Sequence, residues 1–555
     1  MCHPRWRPRH SGIVSKRALR LWKPIPAHRG AAAGMTKKDK QGMNPEPGVI
    51  ISGDRQRAQE ARAANAARMA RALHDSGVRA DDCVAIYLRN DFPFFETSAA
   101  CTLIGAYATP INWHYTAEEA GYILRDCDAK VVVIHSDLLA NIRTAIPEGV
   151  TVVAVPTPPE IAAAYGVSPP ASLPQGVVAY DDFIAGLEPW TDPPPASRGT
   201  MIYTSGTTGH PKGVRRDPLD EDAQARQAEQ IFEGFGIPAD CSAVRTVMTG
   251  PMYHSAPNAY GLAAARNGAF IYLQARFDAE DLLRIVQDYR ITHMHVVPTM
   301  FVRLLRLPEE VRAKYDVSSL VHVIHGAAPC PPEAKRRMIE WWGPVIYEYY
   351  GSTENGLVTV VTSKMATEKP GTVGKPISSN HIRILDDDHN DLPPGEIGEV
   401  YIWRPNRTDF TYNKRDDARR EIDVEGFLTN GDMGWLDEDG CLFLADRKND
   451  MVISGGVNIY PAEIEKALVG MPGVKDCAVF GIPDAEFGEA LAAHVERADP
   501  SVGEDAVKRY LAQHVARYKI PRTIVFADSL PREDSGKIFK RKLREPYWEG
   551  MPRRI

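Results

Sequence analysis

Apolar and polar positions along this chain keep switching between a helical and a strand period. Residues 54 to 76 are rich in Ala and Arg at helical spacing and stop at Gly77, residues 84 to 88 form a short apolar run, and a second helical stretch leads to residues 107 to 111. Thr116 and Glu119 set a capping-box pattern at the head of TAEEAGYILRDC, and the apolar run 131 to 134 follows at once. Such alternation predicts an α/β fold, with stacked mixed and parallel sheets covered by helices. Two Pro-rich stretches, PTPPE and PWTDPPPAS, read as surface loops, the second ending just before a short strand at 200 to 203. The charged run DRKND at 446 to 450 contains no core residue. Beyond it a helix (462 to 468), a strand (477 to 482), a helix (505 to 515) and a strand (523 to 526) predict a small α+β domain on a hinge. The expected division is a basic extension at 1–48, a large domain at 49–447 and a small mobile domain at 448–548.

Composition narrows the class. With 555 residues, 44% hydrophobic and 25% charged, the chain is ordinary globular protein, long enough for several cores. Its net charge of -6 hides an asymmetry: residues 1 to 42 hold eleven Lys/Arg and one acid, a net of +10, which leaves -16 on the rest. An acidic body argues against a nucleic-acid surface, which needs clustered cations. The eight cysteines are scattered without zinc-ligand spacing and read as core residues of a reducing, cytoplasmic compartment. The longest uncharged stretch, 97 to 117, contains Pro110, Asn112 and His114, so no integral membrane segment is expected. The basic first 42 residues suit a transit peptide in charge, but prolines at 4, 8, 24 and 26 break any amphipathic helix. They read as a disordered extension, with Met35 or Met43 as a candidate start.

The strongest chemical signal is TSGTTGHPKG at 204 to 213, directly after a predicted strand. Thr204, Ser205, Thr207 and Thr208 offer hydroxyls, Gly206 and Gly209 let backbone N–H groups approach an anion, and Lys212 adds a compact positive charge. The segment suits polyphosphate and is not a Walker loop.

Five ordered segments, YTSGTTGHPKGV, YEYYGSTE, TNGDMGWLDEDG, DRKNDMVISGGVNIYPAEIE and PREDSGKIFKRKLR, together resemble the adenylate-forming superfamily of acyl-CoA synthetases, aryl-CoA ligases, luciferases and peptide-synthetase adenylation domains. The resemblance spans residues 50 to 548. It implies that 49–447 is the adenylation domain and 448–548 its lid, and that an acid is joined to the α-phosphate of ATP before a thiol takes the acyl group. It further implies that Lys537 bridges carboxylate and α-phosphate, that Glu354 holds Mg2+, and that Thr353 contacts phosphate. Tyr349, Tyr350 and Gly351, with Gly326, Ala327 and Ala328, would enclose adenine. Asp432 would accept both ribose hydroxyls and Arg447 would follow the ribose and phosphate. His254 would gate the thiol route, and Gly455 and Gly456 would line it. Ser255, Ala256, Asn258, His325 and Asn355 would border the acyl pocket. The pivot falls on Asn449, a departure from the Asp or Lys usual in the family.

The implied enzyme is an AMP-forming acid–thiol ligase, its partners a small-molecule carboxylic acid (fatty, or a bulky steroid or aromatic acid) and coenzyme A, in a monomer or homodimer. With no carrier segment after residue 548, a diffusible acceptor is expected, coenzyme A or a free carrier protein. A luciferase-like oxygenase shares the fold but nothing in the sequence requires it. A nucleotide-binding regulator would have no use for Lys537, Glu354 and Lys212 together.

Overall fold

The computed structural model describes residues 46–204, 211–377, 380–405, 408–448, 450–454, 457–484, 486–532 and 538–549. One sheet is wholly parallel, in the spatial order Tyr107–Pro110, Cys83–Tyr87, Val131–His135, Thr151–Val155, Val177–Ala179. Its strands are near-continuous apolar runs because both faces are covered, and Val131–His135 is buried at every position. The helix Ala117–Asp126 opens with the predicted capping box: Thr116 N–H donates to Glu119 Oε2 at 2.8 Å and Glu119 N–H donates to Thr116 Oγ1 at 3.3 Å. The Ala- and Arg-rich segment is shorter as a helix than its composition suggests. Residues Arg55–Arg57 pair with Ile50–Ser52 as a hairpin, and the helix is Gln59–Asp75.

A second, mixed sheet has fourteen strands among the described residues. Its parallel half runs Ile50–Ser52, Phe270–Leu273, Arg245–Met248, His293–Val296, His322–His325, Ile346–Ser352. From there pairing turns antiparallel through Gly356–Val361, Thr372–Pro376, Leu442–Arg447, Phe427–Leu436, Gly398–Trp403 and His381–Leu385. The strand Ile346–Ser352 therefore stands at the change of direction, where side chains from both halves meet. A separate three-stranded sheet joins Ile202–Thr204, Lys212–Arg216 and Phe410–Tyr412.

After Leu442–Arg447 the chain enters a smaller sheet built on the antiparallel pair Val474–Asp484 and Gly488–Arg497, with Thr523–Ala527 parallel to the latter. The predicted helices appear as Pro461–Val469 and Glu504–Leu511. The sequence reading missed the central strand, Gly488–Arg497. Its GEALAAHVER composition favours helix, and Ala490 to Ala493 are all buried, so no alternation marks it. Among the described residues no helix is long and apolar enough to cross a membrane.

Three imidazoles share one face of the large sheet: His293 and His295 on one strand, His322 on its neighbour. Burial holds all three neutral and pulls the His295 pKa down to about 4; its Nε2 lies 3.1 Å from Tyr349 Oη. An unfolded histidine, near 6.5, takes its proton first as pH falls, so this stabilisation is complete above about pH 6.5 and is lost toward pH 4. By pH 5.5 His295 alone is expected to remove roughly 1 kcal/mol. Thermal melts at pH 7 and 5.5 check this: His295→Gln should show a smaller pH-dependent loss than the parent protein.

Candidate active site

The strand Ile202–Thr204 leads into Ser205, Gly206, Thr207, Thr208 and Gly209, which lie outside the described residues, and the chain returns as Lys212–Arg216. Glu354 is met by the entry flank of the predicted phosphate loop and by the strand Phe410–Tyr412. Thr204 Oγ1 donates to Glu354 Oε1 at 3.2 Å, and Tyr412 Oη donates to the same oxygen at 3.2 Å. Lys212 Nζ sits 5.0 Å from the centre of the Tyr412 ring. Burial and the Glu354 carboxylate push the Tyr412 phenol far above its ordinary pKa, so it stays a donor. With Oε1 engaged twice, Oε2 accepts no hydrogen bond from the described residues. A carboxylate oxygen left open in this way suits a hard cation. No cluster of three or more His, Cys, Asp or Glu suited to a metal exists among the described residues, so a metal here needs further oxygens from its ligand.

Glu354 is delivered by a hairpin that only glycine permits. A Cβ on Gly351 would lie 1.9 Å from the Gly356 carbonyl oxygen, and Gly356 itself has φ 64°. Inside the turn Asn355 N–H donates to Ser352 Oγ at 2.8 Å, and Asn355 is fully buried. Thr353 Oγ1 donates to Ser255 Oγ at 3.0 Å, which ties the hairpin to the helix Ser255–Arg266. His254 is the residue preceding that helix, half-buried, its ring 4.5 Å from that of Tyr253. Ala256 packs on the core, and Asn258 donates from Nδ2 to Met252 O at 2.8 Å, holding the PMYH turn.

The strand's two-residue period separates tyrosines that the sequence reading grouped. Tyr350 Oη donates to Asp432 Oδ2 at 2.6 Å, and Asp432 faces Arg447 across an antiparallel pair, Oδ1 to Nε 3.5 Å. Tyr349 points to the other side, against Phe235 and His295. Gly326 lies against that ring: a Cβ there would come within 2.5 Å of Tyr349 Cε1. Next to it Ala327 adopts φ 66°, left-handed for a residue with a side chain, and Ala328 completes the small-residue turn. His325 falls on the face opposite Tyr349, fully buried beside Phe301 and the buried Lys335–Glu348 ion pair. Neither of its ring nitrogens has a hydrogen-bond partner among the described residues.

At the junction of the two large parts, Asp446 Oδ2 accepts the Ala462 N–H at 2.8 Å. Lys540 Nζ lies 2.9 Å from Glu465 Oε1. Burial disfavours the Lys540 charge, but Glu465, Asp446 and Asp450 outweigh it and raise its pKa. Asn449, Gly455, Gly456 and Lys537 lie outside the described residues. The structure thus brings together Thr204, Lys212, Ser255, Thr353 and Glu354, and separately Tyr350, Asp432 and Arg447. Tyr412, Arg216 and Arg404, which also reach the Glu354 hairpin, were missed, and only the unusual arginines in KGVRR and YIWRP could have pointed to two of them.

The chain is similar to known proteins in sequence and in fold. The AMP-binding enzyme family matches residues 53–409, and the AMP-binding enzyme C-terminal domain matches 463–537. A feruloyl-CoA synthase of Amycolatopsis sp is 33% identical over 486 residues, 87% of this chain and 92% of the relative. The long-chain-fatty-acid–CoA ligase FadD13 of Mycobacterium tuberculosis (strain ATCC 25618 / H37Rv) is 31% identical over 500 residues, 88% of this chain and 92% of the relative. Among solved structures, o-succinylbenzoate CoA synthetase (MenE) from Bacillus subtilis, in complex with the acyl-adenylate intermediate OSB-AMP, has a TM-score of 0.72 and 26% identity, covering 91% of this chain and 97% of that one.

The hairpin geometry sets an expectation. Gly351→Ala should force Gly356 aside and displace Glu354, lowering AMP formation at least tenfold. Tyr350→Phe, which removes one hydrogen bond to Asp432, should change the KM for ATP by less than tenfold. Steady-state kinetics on both variants, with melting curves as a folding control, would check this.

Proposed function

This chain belongs to the AMP-binding enzyme family, and on that footing we propose that it is an ATP-dependent acid–CoA ligase working through an acyl adenylate. The convergence on Glu354 supports this reading best. A carboxylate whose one oxygen is fixed by Thr204 and Tyr412 sits at the entry to a hydroxyl- and glycine-rich loop. Such a site gathers phosphate oxygens and metal with little reorganisation.

In the first half-reaction a carboxylate oxygen of the acid attacks the α-phosphorus of ATP, and the bond to pyrophosphate breaks. The loop from Thr204 to Lys212 would hold the β- and γ-phosphates, Thr353 would orient phosphate oxygen, and Glu354 would hold Mg2+. Magnesium, when bound, neutralises charge on the phosphate oxygens. Lys537 places its ammonium between the acid and the α-phosphate. Asp432 accepts the ribose hydroxyls, Tyr350 with Ala327 and Ala328 encloses adenine, and Arg447 follows the ribose. In the second half-reaction the thiol of coenzyme A attacks the acyl carbon by a route that His254, Gly455 and Gly456 would border, AMP leaves, and the thiol proton passes to solvent. The lid, 448–548 with its pivot at Asn449, swings between the two steps.

Because Tyr350 and Asp432 take the nucleoside on one side of the strand, we assign the acid to the other side, where Tyr349, His295, Phe235 and Tyr260 cluster. A buried aromatic cluster that includes a phenol and a neutral imidazole supports a ring-bearing acid with an oxygen substituent over an unbranched alkyl chain. His325, on the nucleoside side, then contributes to packing there, away from the acid.

A panel of acids of varied length and ring content, with AMP release read in the presence of coenzyme A, tests the substrate class; ring-bearing acids should exceed alkyl acids of equal carbon number. Lys537→Ala should lower acid-dependent pyrophosphate exchange by roughly a hundredfold or more while transfer from a supplied acyl adenylate to coenzyme A stays within a few-fold. Equal loss of both steps would remove Lys537 from the adenylation role.

A further inference from the structure

Two half-buried arginines grip the Glu354 hairpin from behind. On the strand Lys212–Arg216, alternate residues Lys212, Val214 and Arg216 share a face, and Val214 packs with Phe410 and Tyr412. Arg216 Nη2 donates to the carbonyl oxygens of Thr353, by a short contact, and of Glu354, at 3.0 Å. Arg404, just past the strand Gly398–Trp403, donates from Nη1 to the carbonyl oxygen of Asn355 at 3.0 Å. Consecutive carbonyls at 353, 354 and 355 are therefore all held by guanidinium groups, one from the strand that leaves the phosphate loop and one from the antiparallel half of the large sheet.

Neither guanidinium forms an ion pair within 4.0 Å among the described residues, although Glu354 and Asp409 lie close enough to favour both charges. The neighbouring Arg419 is paired to Asp409 and Asp423. Arg216 Nη1 and Arg404 Nε are buried without a hydrogen-bond partner. Burial draws the Arg216 pKa down to about 10, and burial together with the Arg216 charge draws that of Arg404 down to about 9; both remain cationic at neutral pH. Two half-buried cations side by side, with no ion pair among the described residues, are costly. They become favourable when a compensating negative charge arrives next to them, and the triphosphate and acid that meet at Glu354 supply it.

We propose that Arg216 and Arg404 form a positioning clamp for adenylation, fixing the backbone of 353–355 so that Thr353 and Glu354 meet the nucleotide phosphates and offsetting the negative charge gathered there. The clamp rests on the ligase reading above and adds to it residues that hold the metal-binding hairpin without touching substrate. Lysine at either position keeps the charge but loses the planar fork, and glutamine loses the charge.

The experiment compares Arg216→Gln, Arg216→Lys, Arg404→Gln and Arg404→Lys with the parent protein. Three readouts separate clamp from scaffold: melting temperature, ATP binding by calorimetry with and without Mg2+, and the two half-reactions. The glutamine variants should raise the KM for Mg·ATP about tenfold or more and lose most of the Mg2+-dependent gain in ATP affinity, while transfer from a supplied acyl adenylate changes by less than about threefold. The lysine variants should fall between the parent and glutamine forms. Unchanged Mg2+-dependent binding in both glutamine variants would overturn the clamp. So would equal loss in both half-reactions that tracks a fall in melting temperature. A parent protein that binds Mg·ATP but forms no adenylate with any acid would instead overturn the ligase reading, with the calorimetry still deciding the clamp.

Discussion

One oxygen atom, Glu354 Oε1, fastens together two separately built parts of this protein. The three-stranded sheet brings Thr204 and Tyr412 to it, and the large sheet brings Glu354 itself through a hairpin that tolerates no side chain at Gly351. A carboxylate would rather be in water, and here it is kept half-buried among donors and cations. The surrounding choices follow from that demand: a phenol forced to remain protonated, a lysine over its ring, and arginines on the carbonyls behind. Each lowers the cost of concentrating negative charge in one cleft, which is the obstacle any acid-to-ATP condensation must overcome.

Much of this was legible in the chain itself. The capping box at Thr116 and Glu119, the strands at 84 to 88 and 131 to 134, and the helices and outer strands of the small domain sit within a few residues of their expected places, because each is set by local spacing. The glycine and hydroxyl signature at 204 to 213 and the GSTE segment likewise name their own chemistry. What stayed hidden depends on distance in sequence or on composition that misleads. Tyr412 lies 58 positions from Glu354, and Arg216 lies 137 from Thr353, so no local pattern links them. Gly488–Arg497 is covered on both faces and built from alanines, which erases the strand period. That His325 and Tyr349 fall on opposite faces of the sheet follows from strand register, which no local spacing announces.

The junction between the two parts shows the same handling of charge as the cleft. Asp446 accepts the Ala462 N–H in the first turn of the helix Pro461–Val469 while Lys540 settles against Glu465 in the company of Asp446 and Asp450. The segment that includes Lys537 is thereby anchored three residues downstream, at the connection the small domain turns about in the proposed cycle. An ammonium shared among several acids can keep one partner while it releases another, which suits a joint that must hold in more than one setting.

Tyr349 and Tyr350 are neighbours in the chain yet look into different compartments, since a strand sends successive residues to opposite sides. Under the assignment of the acid to the Tyr349 side, selectivity and nucleotide grip are written at adjacent positions without being mechanically coupled. A lineage could trade one acid for another by altering residue 349 and its imidazole companion while the phenol on the ribose carboxylate stayed untouched. The pleat of a single strand would then act as the partition that lets one half of the catalytic apparatus drift while the other is conserved.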